Sequence, residues 1–166
     1  NKVIIHYRNK RIFLINAEMA ARGFDDYATG VFSDDGTQGT HHDAVDGELS
    51  KNSIEHGQVD SVIGLSEEYR SGEAKVVYYW LTVGKSISEV LELNRYVLTS
   101  GAGHLIQTTK DFWRAWIYRQ NFSFEGLSGE VISLFNKSLL FIRSHVGFNG
   151  AIIASGDSNV LQKDKD

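Results

Sequence analysis

The sequence predicts a β-then-α chain, in which an antiparallel β-sandwich is followed by helices. Three observations support this prediction. Short β-branched and aromatic runs occupy residues 1–83, glycine-rich turns separate them, and apolar residues recur with helical spacing after residue 84. Because the strands come first and the helices follow, the pattern indicates an α+β protein, or a β domain followed by the opening of a helical one.

The strand candidates lie in four regions of the first half. Residues 3–7 and 12–15 flank the polar residues 8–11, which predicts a hairpin. Residues 23–32 form a third candidate, closed by an Asp-Gly turn at residues 33–36. Residues 58–65 alternate loosely and residues 73–83 more cleanly, and this spacing of strands is typical of a sandwich.

Three helices are predicted in the second half. Ser86 and Glu89 have the spacing of a capping box, and the helix that follows ends at residues 101–103. A second helix covers about residues 104–119. A third covers about residues 128–145, where apolar residues from Val131 to Val146 follow an i, i+3, i+4, i+7 pattern. Residues 150–155 are expected to be extended, and residues 162–166 form a polar tail.

Composition excludes several classes of function. The chain has 166 residues, a net charge of −4 and no cysteine, so it contains no disulfide, thiolate zinc site or cysteine nucleophile. Residues 1–83 carry eight basic and thirteen acidic side chains and no basic stripe, which argues against nucleic-acid binding. No apolar run reaches the length of a membrane span, so we expect no membrane partner. No signal-peptide pattern is visible, and the localisation stays open.

The densest group of possible metal ligands favours a structural loop over a metal site. The group comprises His41, His42, Asp43, Asp46, Glu48, His56 and Asp60. Adjacent histidines on a strand would point to opposite faces, and the acidic residues lack the alternation of a calcium loop. We therefore expect a hydrogen-bonded loop, with no metal and no cofactor.

Carboxylates and serines give no catalytic assignment. The adjacent pairs Asp25/Asp26, Asp34/Asp35 and Glu67/Glu68 lie in turn-like sequence, which is typical of solvated carboxylates, and Glu130 suits the first turn of a helix. Residues 126–129 do not form a nucleophile elbow, and the glycines at 101–103 lack the context of a phosphate loop. Both segments are interpreted as helix boundaries.

The aromatic residues of the predicted second helix have two interpretations. Phe112, Trp113 and Trp116 could stack against sugars, but their helical spacing favours a core or a domain interface. The residues alone thus assign no catalytic, substrate-binding or metal residue.

Several stretches together resemble glycoside hydrolase family 15, the family of glucoamylases, glucodextranases and some trehalases. Residues 4–16, 22–30, 42–49 and 54–61 are similar to the N-terminal β-domain of these enzymes. The family has a tryptophan where this chain has His41 and His42. Residues 126–143 look like the first helix of the family's (α/α)6 barrel, and residues 150–158 resemble the segment that follows it.

The resemblance implies a domain organisation. It gives part of a β-sandwich domain at residues 1–83, linker helices at 84–120, and the truncated start of the catalytic barrel at 121–166. The family's Trp-Pro-Arg-Asp motif is absent from these residues. The chain starts at Asn1 and has Met19 as its single methionine, so we expect a piece of a longer protein.

The resemblance also implies a function. The parent enzyme would cleave α-glucosidic bonds by inversion, using two glutamates ~6.5–9.5 Å apart. Both glutamates come from later barrel helices, so this chain would be a non-catalytic N-terminal fragment. Its partners would be the barrel of the same protein and, through that barrel, an α-glucan or α-glucoside. The apolar side of residues 131–142 would be exposed, which predicts homo-oligomers.

An alternative function stays open beside this one. The β-sandwich could bind α-glucan independently through aromatic side chains such as Tyr78, Tyr79 and Trp80, without hydrolytic activity.

Overall fold

The computed structural model of the protein describes residues 2–33, 39–147 and 149–152. Contacts divide the chain into two compact units, Asn1–Gly103 and His104–Asp166. Strands precede helices, apart from one short helical turn, so the predicted β-then-α order is confirmed.

The strands are β1 (Ile4–Arg8), β2 (Arg11–Met19), β3 (Arg22–Gly23), β4 (Asp26–Val31), β5 (Val59–Gly64) and β6 (Val77–Gly84). The helices are α1 (Thr40–Asp43), α2 (Ile87–Ser100), α3 (Ala102–Ile117) and α4 (Gly129–Ser144).

Strand β2 is the centre of a four-stranded antiparallel sheet. Along one edge it pairs with β6 from Ile12 to Met19. Residues 11–15 of β2 pair with β1, and Glu18 and Met19 pair with β3. Most of these residues also pair with β6, so β1 and β3 lie along the edge of β2 that is opposite β6. The predicted hairpin of β1 and β2 is confirmed, with Asn9 in the left-handed region at its turn.

The turn between β2 and β3 consists of Ala20 and Ala21, with φ of 51° and 60°. The left-handed region costs a non-glycine residue roughly 1–2 kcal/mol, and asparagine and glycine are the usual residues of such a two-residue turn. The sequence therefore carries no turn signal here. The prediction of a single strand over residues 23–32 was wrong, because β3 and β4 are separate strands in different sheets.

Strands β4 and β5 form a second, two-stranded antiparallel sheet. The predicted strand at 58–65 is thereby confirmed. The strand predicted from residue 73 begins only at Val77, because Lys75 is held in the preceding loop by Glu67 and Glu73. The turn expected at 33–36 lies mostly outside the described residues.

The core of the first unit lies around β2. Its buried apolar residues are Ile4, Ile12, Leu14, Ala17, Met19, Phe24, Ala28 and Val90. Leu14 is fully buried and packs with Ile12 and Val90, the latter from α2. Successive strand residues point to opposite faces, so Leu14 lies on the face of the sheet that α2 covers, and Ala17 and Met19 lie on the other.

Helix α2 begins as the capping box predicts. The Ser86 hydroxyl accepts from the Glu89 amide at 3.2 Å, and the Glu89 carboxylate accepts from the amide of Lys85 at 2.8 Å. Gly101, with φ of 82°, ends the helix. The helix boundary predicted at residues 101–103 is confirmed at Gly101, whereas Ala102 and Gly103 already belong to α3.

The second unit contains all but the first two residues of α3, and the whole of α4. Both helices lie close to the ranges predicted for them. Ser128 caps α4 by accepting from the amide of Val131. Phe122, Phe124 and Phe135 form a ring cluster with centroids 5.0–6.1 Å apart. Among residues 104–147 and 149–152, not one is fully buried.

The end of the chain is only partly described. Val146 and Ile152 form an isolated antiparallel bridge, while the remainder of the predicted extended segment and the polar tail lie outside the described residues. None of the helices in the described ranges is long and apolar enough to cross a membrane.

Candidate functional site

One cavity of the first unit lies beside β1 and β4. It has a volume of about 590 Å³, and residues 53–57 close one side. Its walls carry possible chemical groups, among them His6, Tyr27, Glu55 and His56. The hydrogen bonds that these groups already make limit the chemistry open to them.

His6 is the residue with the most suggestive contact. Its Nε2 lies 2.8 Å from the hydroxyl oxygen of Ser61 on β5. A serine nucleophile needs a base that a third group orients. The pair joins the two sheets, and among the described side chains no carboxylate bonds to His6 to orient it.

The loop that closes the cavity is held by its own polar groups. Asn52 donates from Nδ2 to the carbonyl of Thr29 at 2.9 Å, and its carbonyl accepts from the Thr29 hydroxyl at 3.0 Å. The Glu55 carboxylate accepts from the amide of His56 at 3.0 Å and from Asn52. These bonds order the loop, so the cavity is a preformed cleft without an assembled acid–base pair.

The predicted cluster around His41 and His42 lies elsewhere. These residues are on the short helix α1, where their ring centroids are 4.0 Å apart. The expectation that they would lie on opposite faces of a strand was wrong, because the segment is helical.

The acidic members of that cluster order the backbone. Both carboxylate oxygens of Asp60 accept from the amide of Thr40, at 3.0 and 2.9 Å, and Asp43 accepts from the amide of Ser50 at 2.8 Å. Asp46 accepts from the amide of Glu48. In the described ranges, no group of three or more possible metal ligands comes together. The loop is hydrogen-bonded, as the sequence predicted.

The carboxylate pairs are also engaged in the fold. Asp25 accepts from Arg22 and from the amide of Ser66, and Asp26 accepts from the amide of Tyr27. Glu130 lies in the first turn of α4, as expected. Asp34 and Asp35 lie outside the described residues.

Glu67 has the clearest electrostatic environment. It bonds to Lys75 at 2.7 Å and forms an ion pair with Arg22. The hydrogen bond from Lys75, with help from Arg22, lowers the pKa of Glu67, and the same pairing raises the pKa of Lys75. A general acid needs a raised pKa, so Glu67 is a structural anion that fastens residues 66–75 to β3.

The aromatic residues proposed for sugar binding divide between the two faces of β6. Tyr79 is 60% exposed, whereas Trp80 is half-buried and its indole donates to Asn94 Oδ1 at 2.9 Å. Tyr78 shares the face of Trp80. The three side chains therefore do not form one platform.

The aromatic residues of α3 form an edge-to-face series. The rings of Phe112 and Trp113 lie 5.3 Å apart at 75°, and those of Trp113 and Trp116 lie 6.0 Å apart at 77°. Because neighbouring rings are turned by 75° and 77°, the three side chains do not form one flat stacking surface for a sugar. Trp113 instead lines a groove of about 500 Å³ between α3 and α4.

One polar network was missed by the sequence analysis. Asn94 Oδ1 accepts from Trp80 and from Asn16 Nδ2, the latter at 3.1 Å, and both asparagines are buried. The available signal was the single polar residue, Asn16, within the apolar run of residues 12–17 in β2.

The comparisons with known proteins gave no match. No protein-family model, curated protein or solved structure matches this chain.

Proposed function

We propose that the chain is the non-catalytic N-terminal part of a glycoside hydrolase of the family 15 type. The parent enzyme would cleave α-glucosidic bonds by inversion. The stretches at residues 4–16, 42–61 and 126–143 support this proposal through their resemblance to the family. The order of antiparallel sheets and then helices is the order that the family would require.

The single observation that carries the proposal is that no residue among 104–147 and 149–152 is fully buried. On α4, Leu134 is 66% exposed, and Val131 and Ile142 are exposed as well. Helices this amphipathic need an apolar partner, since packing of the apolar face supplies most helical stability in proteins. In an (α/α)6 barrel that partner is further helices, which is why we assign residues 121–166 to its start.

The two sheets support the first part of the proposal, a β-sandwich domain. The bond between His6 and Ser61 joins β1 to β5, and Ala17, Met19, Phe24 and Ala28 are buried. A sandwich buries alternate residues of each sheet in this way. We assign to this domain a scaffold role, packed against the barrel and shaping the rim of its pocket.

The engaged carboxylates support the non-catalytic role. An inverting glycosidase needs one protonated and one ionised carboxyl group across a gap that holds sugar and water. Asp25, Asp26, Glu55 and Glu67 each accept hydrogen bonds from the fold instead. The catalytic glutamates are therefore expected from helices that follow this part of the chain.

The test compares residues 1–166 with the same chain extended along the parent reading frame. We expect the extended protein to release β-glucose from maltotriose, followed by NMR of the anomeric proton, and residues 1–166 to release none. Release of α-glucose would overturn inversion. Hydrolysis by residues 1–166, or a reading frame that lacks the two glutamates, would overturn the assignment.

Calorimetric titration with maltooligosaccharides tests the alternative of an independent glucan-binding module. The scaffold proposal predicts no heat. Because Trp80 supports the core, Tyr79→Ala is the informative variant, and millimolar binding lost in that variant would favour the module.

A further inference from the structure

The tip of the β1–β2 hairpin carries an arrangement of charges that works against the fold. Arg8, the last residue of β1, pairs directly with Arg11, the first residue of β2. Directly opposite residues of an antiparallel pair have Cβ atoms ~4.5–5.5 Å apart, and like charges in these positions destabilise a sheet. Lys10 adds a further cation in the turn between them. The closing pair therefore destabilises the hairpin that it closes.

A fourth cation joins this group from a distant part of the sequence. Gly84, at the end of β6, pairs with Ile12, and Lys85 follows it in the chain. Lys85 and Arg11 line the same cleft, which has a volume of about 560 Å³ and which we call the tip cleft. Among the described residues, no acidic side chain lines it. Its lining residues are Tyr7, Asn9, Lys10, Arg11, Ile12 and Lys85.

The four cations at the tip have no anionic partner within the described ranges. They are exposed and form no ion pair there: Arg8, Lys10, Arg11 and Lys85. Glu89 has its carboxylate nearby, but that group accepts from the backbone amide of Lys85, at 2.8 Å, at the start of α2. The chain as a whole has a net charge of −4, so the tip is a local reversal of its sign.

We infer that the tip cleft binds a small ligand carrying a phosphate or diphosphate group. A phosphate monoester holds about −1.5 to −2 charges at neutral pH, so it neutralises several cations at once. Guanidinium groups bind its oxygens in pairs, and ammonium groups add positive charge. The volume of about 560 Å³ lies within the ~300–1,000 Å³ of small-molecule sites. The inference does not depend on the proposed enzymatic role.

The arrangement predicts two opposite effects of one substitution. Arg11→Gln removes the like-charge contact with Arg8, so it should raise the urea midpoint of the ligand-free chain. It also removes the guanidinium donors from the cleft, so it should weaken phosphate binding. Arg95→Gln, at an exposed position on α2, removes the same charge and is the matched control, for which we expect neither effect.

Urea unfolding of the full chain with and without inorganic pyrophosphate, at an ionic strength held constant with sodium chloride, tests both effects. A ligand that binds the folded chain raises its midpoint. We expect this rise in the native chain and in Arg95→Gln, and calorimetric titration should show roughly ten-fold or more weaker binding in Arg11→Gln. No rise in the native chain, or an equal rise in all three proteins, would overturn the inference. So would a ligand-free midpoint of Arg11→Gln below that of the native chain.

Cosedimentation with vesicles that contain phosphatidic acid distinguishes a free phosphate from the headgroup of a lipid. We expect the chain to stay in the supernatant, because its net charge of −4 is repelled by an anionic surface. Cosedimentation that Arg11→Gln abolishes and Arg95→Gln preserves would overturn the assignment to a free ligand.

Discussion

Helices α2 and α4 begin alike and end in different surroundings. Each has a serine N-cap whose hydroxyl accepts a backbone amide, Ser86 in α2 and Ser128 in α4. Helix α2 then buries Val90 and Asn94 against the sheet of β2 and β6, whereas α4 buries none of its residues. The difference shows that local sequence sets where a helix begins, while burial decides how much it stabilises the fold.

The same contrast holds for the two units as wholes. The first has a buried apolar core and an internal polar network, and the second has a cluster of three phenylalanines and a groove lined by residues of α3 and α4. We therefore expect the first unit to unfold cooperatively and the second to contribute little to that transition. The following predictions test this comparison, beginning with the largest effect.

Leu14→Ala should destabilise the first unit by about 3 kcal/mol. The side chain is fully buried against Ile12 and Val90, and truncating such a leucine costs both transfer free energy and a cavity. Urea unfolding followed by circular dichroism measures the effect. Leu134→Ala, at an exposed position of α4, is the control and should change the transition by less than about 0.5 kcal/mol. Equal costs for the two variants would remove the distinction between the units.

Asn94→Ala should cost about 2 kcal/mol. It leaves the indole of Trp80 and the amide of Asn16 without their shared acceptor inside the core, and a buried unsatisfied donor carries a desolvation penalty of roughly 1–3 kcal/mol. Glu92→Ala, at an exposed site on the same helix, should have a negligible effect in the same urea titration. A small cost for Asn94→Ala would mean that water replaces the lost oxygen.

The sequence predicted those parts of the fold that depend on local chemistry. The capping box of Ser86 and Glu89, the first hairpin and the glycine at the end of α2 were all predicted, because neighbours in sequence make these contacts. The β2–β3 turn was not, since Ala20 and Ala21 adopt a backbone conformation that tertiary structure imposes on them.

Long-range contacts explain what the sequence could not predict about the candidate site. Asn16 and Asn94 are 78 residues apart, and His6 and Ser61 are 55 apart, so no periodicity connects them. The alternation of β6 did predict two faces, but which face α2 covers depends on packing. The cavity beside β1 could not be predicted either, because residues 53–57 are distant from β1 in sequence and line the cavity with it only in the folded chain.

Ser86→Ala should destabilise the first unit by about 1 kcal/mol, the usual cost of a lost N-cap. Ser128→Ala removes the equivalent bond from α4. It should lower the helix content without shifting the unfolding transition of the first unit. Hydrogen exchange resolved by segment separates the two effects. A shift of the first unit's transition by Ser128→Ala would show that the units unfold together.

Glu67→Gln should remove a pH-dependent contribution to the free energy of unfolding of the first unit. Because the pairing with Lys75 lowers the pKa of Glu67, the folded chain holds this proton less tightly than the unfolded chain does. The carboxylate therefore contributes its full stabilisation above the ordinary pKa of 4.5, and the contribution is lost as the pH falls through the lower folded value. Urea midpoints of the variant and the native chain should differ at pH 7 and converge in acid. Glu130→Gln, in the second unit, should leave that midpoint unchanged at both pH values. The ion pairs of Glu67 are near the surface, so this effect is expected to be the smallest of the series.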